Sequence, residues 1–127
     1  MKENFFDKDF RPTPNCPVRS VLDRFGDKWS ILVIVILGVK KKMRFNELNK
    51  QIPDVSQKML TVTLRTLEAD GLVKRTIYPE VPPRVEYEIT ELGKTLVPHI
   101  YSLSNWAVSN MPAIRKSRKK YQLSKAA

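Results

Sequence analysis

The chain has 127 residues, 42% of them hydrophobic, enough for one core and too few for a second domain. Lysine and arginine number 23 against 13 acidic residues, a formal charge of +10 that favours a polyanionic partner. With one histidine (His99), one cysteine (Cys16) and four scattered glycines, the sequence lacks the clustered ligands, nucleophiles and phosphate-cradling loop that metal, covalent and nucleotide chemistry need, so no catalytic, metal or cofactor site is expected.

The first stretch, residues 1–15, carries Phe5, Phe6 and Phe10 and no long apolar run of the kind a signal peptide requires. It is expected to form an N-terminal arm that joins a dimer contact. From Pro17, Val18, Val21, Leu22 and Phe25 recur at helical spacing, with the proline at a tolerated first-turn position. Residues 31–37, ILVIVIL, fit either a buried strand or a buried helix by periodicity. Asp27 as a cap before them and Gly38 behind them favour a helix, buried nearly all round. The run is well short of the roughly 20 apolar residues that cross a bilayer. A cytoplasmic protein without membrane partners is expected.

Lys40, Lys41, Lys42 and Arg44 come next as a basic turn, and residues 45–52 then place Phe45, Leu48 and Ile52 on one side of a short helix, with Asn46 as candidate cap and Pro53 as stop. After the turn at residues 53–55, Ser56 is a good N-cap, and Leu60, Leu64 and Leu67 recur at i, i+4, i+7. Lys58, Val62 and Arg65 point away from that leucine stripe, with Gln57, Met59 and Thr61 beside them. A major-groove reader needs cationic forks, hydroxyls and small apolar groups, and this face supplies all three. A solvated face of an ordinary helix is the plainer alternative, and the residues downstream of the helix weigh against it.

Gly71 stands where a left-handed residue closes a helix. Residues 72–78 then run extended, and residues 84–89 alternate strictly, with Val85, Tyr87 and Ile89 on one side and Arg84, Glu86 and Glu88 on the other. Between the two strands PEVPP is too long and too proline-rich for a two-residue turn, so the ribbon ends in a protruding wing. Lys74, Arg75 and Arg84 flank it as candidate phosphate or minor-groove contacts, or as edge charges that discourage aggregation. The order of helix, turn, capped helix and ribbon predicts a mainly α fold with a small β-wing, a winged helix-turn-helix over residues 16–111.

Thr90 caps a last helix in which Leu92, Leu96, Ile100, Leu103 and Ala107 form one stripe, widened by Val97, Tyr101 and Trp106. That surface exceeds one internal contact, so dimerisation through the terminal helices is expected, against packing within a single chain. Arg115, Lys116, Arg118, Lys119, Lys120 and Lys125 crowd the last thirteen residues and leave 17 basic against 13 acidic groups, only +4, elsewhere. Residues 112–127 are expected to be a basic flexible tail, adding nonspecific DNA attraction or serving as a solubilising end.

The segments Cys16-Pro17-Val18, Gly26-Asp27-Lys28-Trp29, Arg44-Phe45-Asn46-Glu47-Leu48, Ser56-Gln57-Lys58-Met59-Leu60-Thr61, residues 64–73 (LRTLEADGLV) and Pro82-Pro83-Arg84-Val85-Glu86-Tyr87 occur in an order that resembles the HxlR family of bacterial transcriptional regulators, relatives of the MarR group, over about residues 16–107. Asp27 stands where that family often has a second glycine, and as a cap it serves equally well. The resemblance implies a homodimeric winged-helix regulator whose second motif helix enters the major groove and whose terminal helices build the dimer; two such helices one DNA turn apart would read a palindromic site in double-stranded DNA, with Gln57, Lys58, Met59, Thr61, Val62, Arg65, Lys74, Arg75 and Arg84 as DNA-contacting candidates. Some members sense oxidants or electrophiles through a cysteine at this Cys-Pro position, which makes Cys16 a candidate redox sensor and an oxidant or small molecule a candidate signal. A small buried apolar residue is the other account of Cys16. A winged-helix module that coats nucleic acid without sequence choice, or that binds protein, is the alternative function.

Overall fold

The computed structural model describes residues 13–126. Phe5, Phe6 and Phe10 of the expected arm lie outside them. The order is α1 (Pro17–Phe25), α2 (Lys28–Lys40), β1 (Lys42–Arg44), α3 (Phe45–Gln51), α4 (Gln57–Ala69), β2 (Val73–Tyr78), β3 (Arg84–Ile89) and α5 (Glu91–Ala126). The strands form an antiparallel sheet in the order β1-β3-β2. A mainly helical chain with a small β-wing is thus the architecture, as the sequence predicts.

One core joins these layers. Val33, Ile34 and Leu37 of α2 meet Leu48 of α3, Leu60, Leu64 and Leu67 of α4, Val73 and Ile89 of the sheet and Ile100 of α5. The apolar run in α2 is helical because Asp27 caps it, accepting from the Ser30 backbone N–H at 2.9 Å and from the Ser30 hydroxyl at 2.9 Å. Burial of α2 is one-sided, since Leu32 and Val39 are exposed. Gly38 does not end this helix. It lies inside it and lets α5 approach, for a Cβ there would stand 3.2 Å from Val97 Cγ2. The chain leaves α2 instead at Lys41, whose φ is 72°.

Two further expectations need correction. The cap of α3 is Arg44, not Asn46, because Glu47 reaches back to accept from the Arg44 backbone N–H at 2.8 Å, and this starts the helix two residues earlier. The basic segment after Pro112 is helical as far as Ala126 rather than irregular. Pro112 removes one backbone donor, and the alanine, arginine, lysine, glutamine and leucine beyond it are strong helix formers, while Met111 and Ile114 on either side of it are half-buried. The basic turn before α3 also holds an element too short for periodicity to reveal: Lys42–Arg44 pairs with β3 as Lys42↔Glu88, Met43↔Tyr87 and Arg44↔Glu86.

The α4–β2 junction fixes α4 against the wing. The Leu72 N–H donates to the Leu67 carbonyl at 2.9 Å and the Gly71 N–H to Glu68 at 3.1 Å, with Gly71 at φ 77°, so a left-handed residue closes α4 and turns the chain straight into β2. Thr90, at the start of α5, ties into the same corner, donating from its hydroxyl to the Gly71 carbonyl at 2.6 Å while accepting from the Gly93 N–H at 3.0 Å.

Candidate nucleic-acid interface

The Ser56 hydroxyl accepts from the Met59 N–H at 3.0 Å and starts α4 with its leucine stripe inward. Burial then follows the wheel. Leu60, Leu64 and Leu67 are at most 2% exposed, whereas Gln57, Lys58, Met59, Val62 and Arg65 are exposed. Thr61 is half-buried and spends its proton on the Gln57 carbonyl at 2.8 Å, which leaves its hydroxyl oxygen able to accept. The preceding turn is held by the Asn49 side-chain amide, which donates to the Val55 carbonyl at 3.1 Å. The spacing between α3 and α4 is therefore set by a hydrogen bond rather than by loop length alone.

The ribbon divides the remaining candidates between two faces. Strand register puts Arg75 opposite Tyr87, on the same face as Val73, Val85 and Ile89, the side that meets α4. Arg75 accordingly reaches Glu68 of α4 at 3.3 Å. Lys74 opposes Glu88 and Arg84 opposes Tyr78 on the other face. So α4 and Arg75 form one surface, and Lys74 and Arg84 do not join it. Arg84 in particular serves the wing itself. Its guanidinium lies 4.1 Å over the Tyr78 ring and pairs with Glu80 at 3.5 Å and Glu86 at 3.8 Å, which braces the loop at residues 79–83.

Tyr87 belongs to this surface although the alternation of β3 assigns it to the core side. It is half-buried, and burial pushes its phenol above the ordinary range, against the pull of Arg75 and Arg65 and with some help from Glu68. Its hydroxyl therefore remains a hydrogen-bond donor at neutral pH, at the corner where α4 and the wing converge. The signal was present in the sequence, since a tyrosine among aliphatic strand residues carries a polar end that seeks an outlet.

Cys16 immediately precedes α1, 7% exposed, and makes no capping hydrogen bond from its side chain. Among the described residues no group of histidine, cysteine and carboxylates is arranged to hold a metal, and no helix is long and apolar enough to cross a membrane.

A capped, outward-facing second helix followed by a braced ribbon defines a winged helix-turn-helix of the kind that transcription regulators use. A profile of the HxlR-like helix-turn-helix family matches residues 24–115, and the chain belongs to that family. It is 43% identical over 103 residues to the uncharacterized HTH-type transcriptional regulator YybR of Bacillus subtilis, covering 81% of this chain and 82% of that one. Among solved structures it is similar to the redox regulator HypR in its reduced form, at 42% identity and a TM-score of 0.73 over 80% of this chain and 99% of the other. The reduced form of the transcriptional regulator YodB from B. subtilis has the same fold at 36% identity and a TM-score of 0.64, over 72% of this chain and 90% of that one. Members of this family are regulators and not enzymes.

Proposed function

We propose that the chain acts as a homodimer that binds a palindromic operator in double-stranded DNA, each protomer reading one half-site with the exposed face of α4. The observation that carries this reading is the polarity of that helix, leucines inward and Gln57, Lys58, Met59, Val62 and Arg65 outward. Arg65 has the reach for a guanine edge, Lys58 for phosphate, and Val62 and the Thr61 methyl for thymine methyls. Arg75 and Tyr87 extend the surface toward the wing, and Lys74 stands on the far side of the ribbon as a flanking phosphate contact. Arg84 shapes the wing from within.

Pairing of two chains is supported by apolar side chains that the single chain leaves uncovered. On α1 Val21 and Leu22 are exposed, although Phe25 packs against the core, and on α5 Tyr101, Leu103, Trp106 and Val108 stay exposed, Trp106 at 56%. Two recognition helices roughly 34 to 36 Å apart then enter successive major grooves on one side of the duplex. Footprinting checks this. A discrete, symmetric protected site is the expected outcome, and smeared protection that fades evenly with salt would instead favour the coating role. Arg65→Ala should weaken the operator by roughly 1 to 3 kcal/mol and relax the base preference at one position of each half-site. Equal loss on random duplex would reassign Arg65 to phosphate.

The likeness to HypR supports a further part of the proposal, that Cys16 receives an oxidant signal. The thiol is covered, so an oxidant reaches it only when the start of α1 shifts, and that helix has no fully buried side chain. Diamide should release the wild-type protein from its operator and leave Cys16→Ser bound. Release of both proteins alike removes Cys16 from the pathway.

A further inference from the structure

Three cations stand on the α4 side of the interface, and they differ in what holds them. Lys58 and Arg65 form no ion pair with another described residue, whereas Arg75 is paired with Glu68 at 3.3 Å. Both partners remain within reach of a duplex, with 44% of the Arg75 side chain and 36% of the Glu68 side chain exposed. Glu68 is the sole acidic residue of α4, and it occupies the last turn, which holds no basic residue. A carboxylate there opposes the helix macrodipole, so helix stability does not account for it. An exposed pair of this kind also adds little to folding. What Glu68 does change is the charge that the corner between α4 and the wing presents to DNA.

We propose that Glu68 is a positioning residue for DNA binding, holding Arg75 off the phosphate backbone so that sequence-independent attraction is restrained and affinity rests on the groove-facing side chains of α4. The geometry favours this role over a simple stabilising contact. Arg75 is anchored in the middle of β2 opposite Tyr87, and Glu68 reaches it across the corner from the final turn of the recognition helix. A phosphate arriving at that corner meets a neutral pair in place of a free guanidinium. Each additional phosphate neutralised by a protein cation steepens the salt dependence by about 0.9 and, at 0.15 M salt, multiplies affinity about fivefold whatever the sequence.

The inference rests on the reading of this surface as the DNA face, and titration of a random-sequence duplex over a range of salt tests it. Glu68→Gln should bind that duplex about fivefold tighter at 0.15 M salt, with a log K against log salt slope steeper by about 0.9. Arg75→Ala in the wild-type background should cost less than about twofold, because that cation is already occupied, while adding it to Glu68→Gln should return both affinity and slope to wild-type values. Unchanged slope and affinity for Glu68→Gln overturn the proposal. So does a loss for Arg75→Ala as large in the wild type as in the Gln background, a comparison whose first half requires no change to α4. Wild-type protein that binds no duplex at all would instead remove the DNA-binding reading itself.

Discussion

Leu64→Ala should cost about 2 to 5 kcal/mol of stability, lowering the urea midpoint at a nearly unchanged denaturant slope. Leu64 is 2% exposed in the middle of α4, packed in the same core as Leu48, Val33 and Ile34. Truncation removes apolar contact and leaves a cavity that the helices around it cannot close without moving α4. A domain of this size typically has about 5 to 15 kcal/mol in total, so one side chain decides much of it. On the proposed function, operator binding should fall in step with folding, although Leu64 faces the core. A variant that melted like the wild type would show that α4 is not seated by its leucine stripe.

Gly93→Ala is the second large effect. A methyl at Gly93 would fall inside contact distance of the Leu72 carbonyl oxygen and 2.7 Å from Ile89 Cγ1. The first obstacle is backbone, which cannot rotate away, so the cost should reach about 3 kcal/mol or more, the upper part of the range for overpacking. Gly71→Ala is a sharp comparison. Gly71 needs the left-handed region, yet the nearest atom to a methyl there is 3.9 Å away, so the cost should be only about 1 to 2 kcal/mol. Chemical denaturation of the two variants should thus rank Gly93→Ala as the worse, and the reverse order would mean that α5 starts farther from the α4–β2 turn than the contact implies.

Much of α4 and its turn into the ribbon was legible because local rules and global packing agree there. Ser56 caps, three leucines keep helical period, and Gly71 sits where only a left-handed residue closes the turn. The ribbon was equally plain from the alternation at residues 84–89. Less visible was anything decided by partners distant in sequence. Arg84 reads as a surface cation until Tyr78, Glu80 and Glu86 are seen around it, and Arg75 differs from Lys74 only through strand register. A three-residue strand at Lys42–Arg44 has no periodicity to detect. Residues 112–126 misled for a different reason, since a proline followed by clustered charge resembles a loose end when intrinsic helix preference is left out.

The helix α5, 36 residues and about 54 Å long, is held along its first third, where Val97 lies against Gly38 and Ile100 enters the core, and it is tied at its very start to the end of α4. Thr90 donates its backbone N–H to the Leu72 carbonyl at 3.1 Å and its hydroxyl to Gly71, and Gly93 presses on that same carbonyl. Those two residues also finish α4. The rod and α4 therefore share one corner, while Val97 and Ile100 seat the next turns of the rod on α2 and the core. A displacement of α5 would thus be felt at the end of α4 and on α2 together, because one rod leans on both.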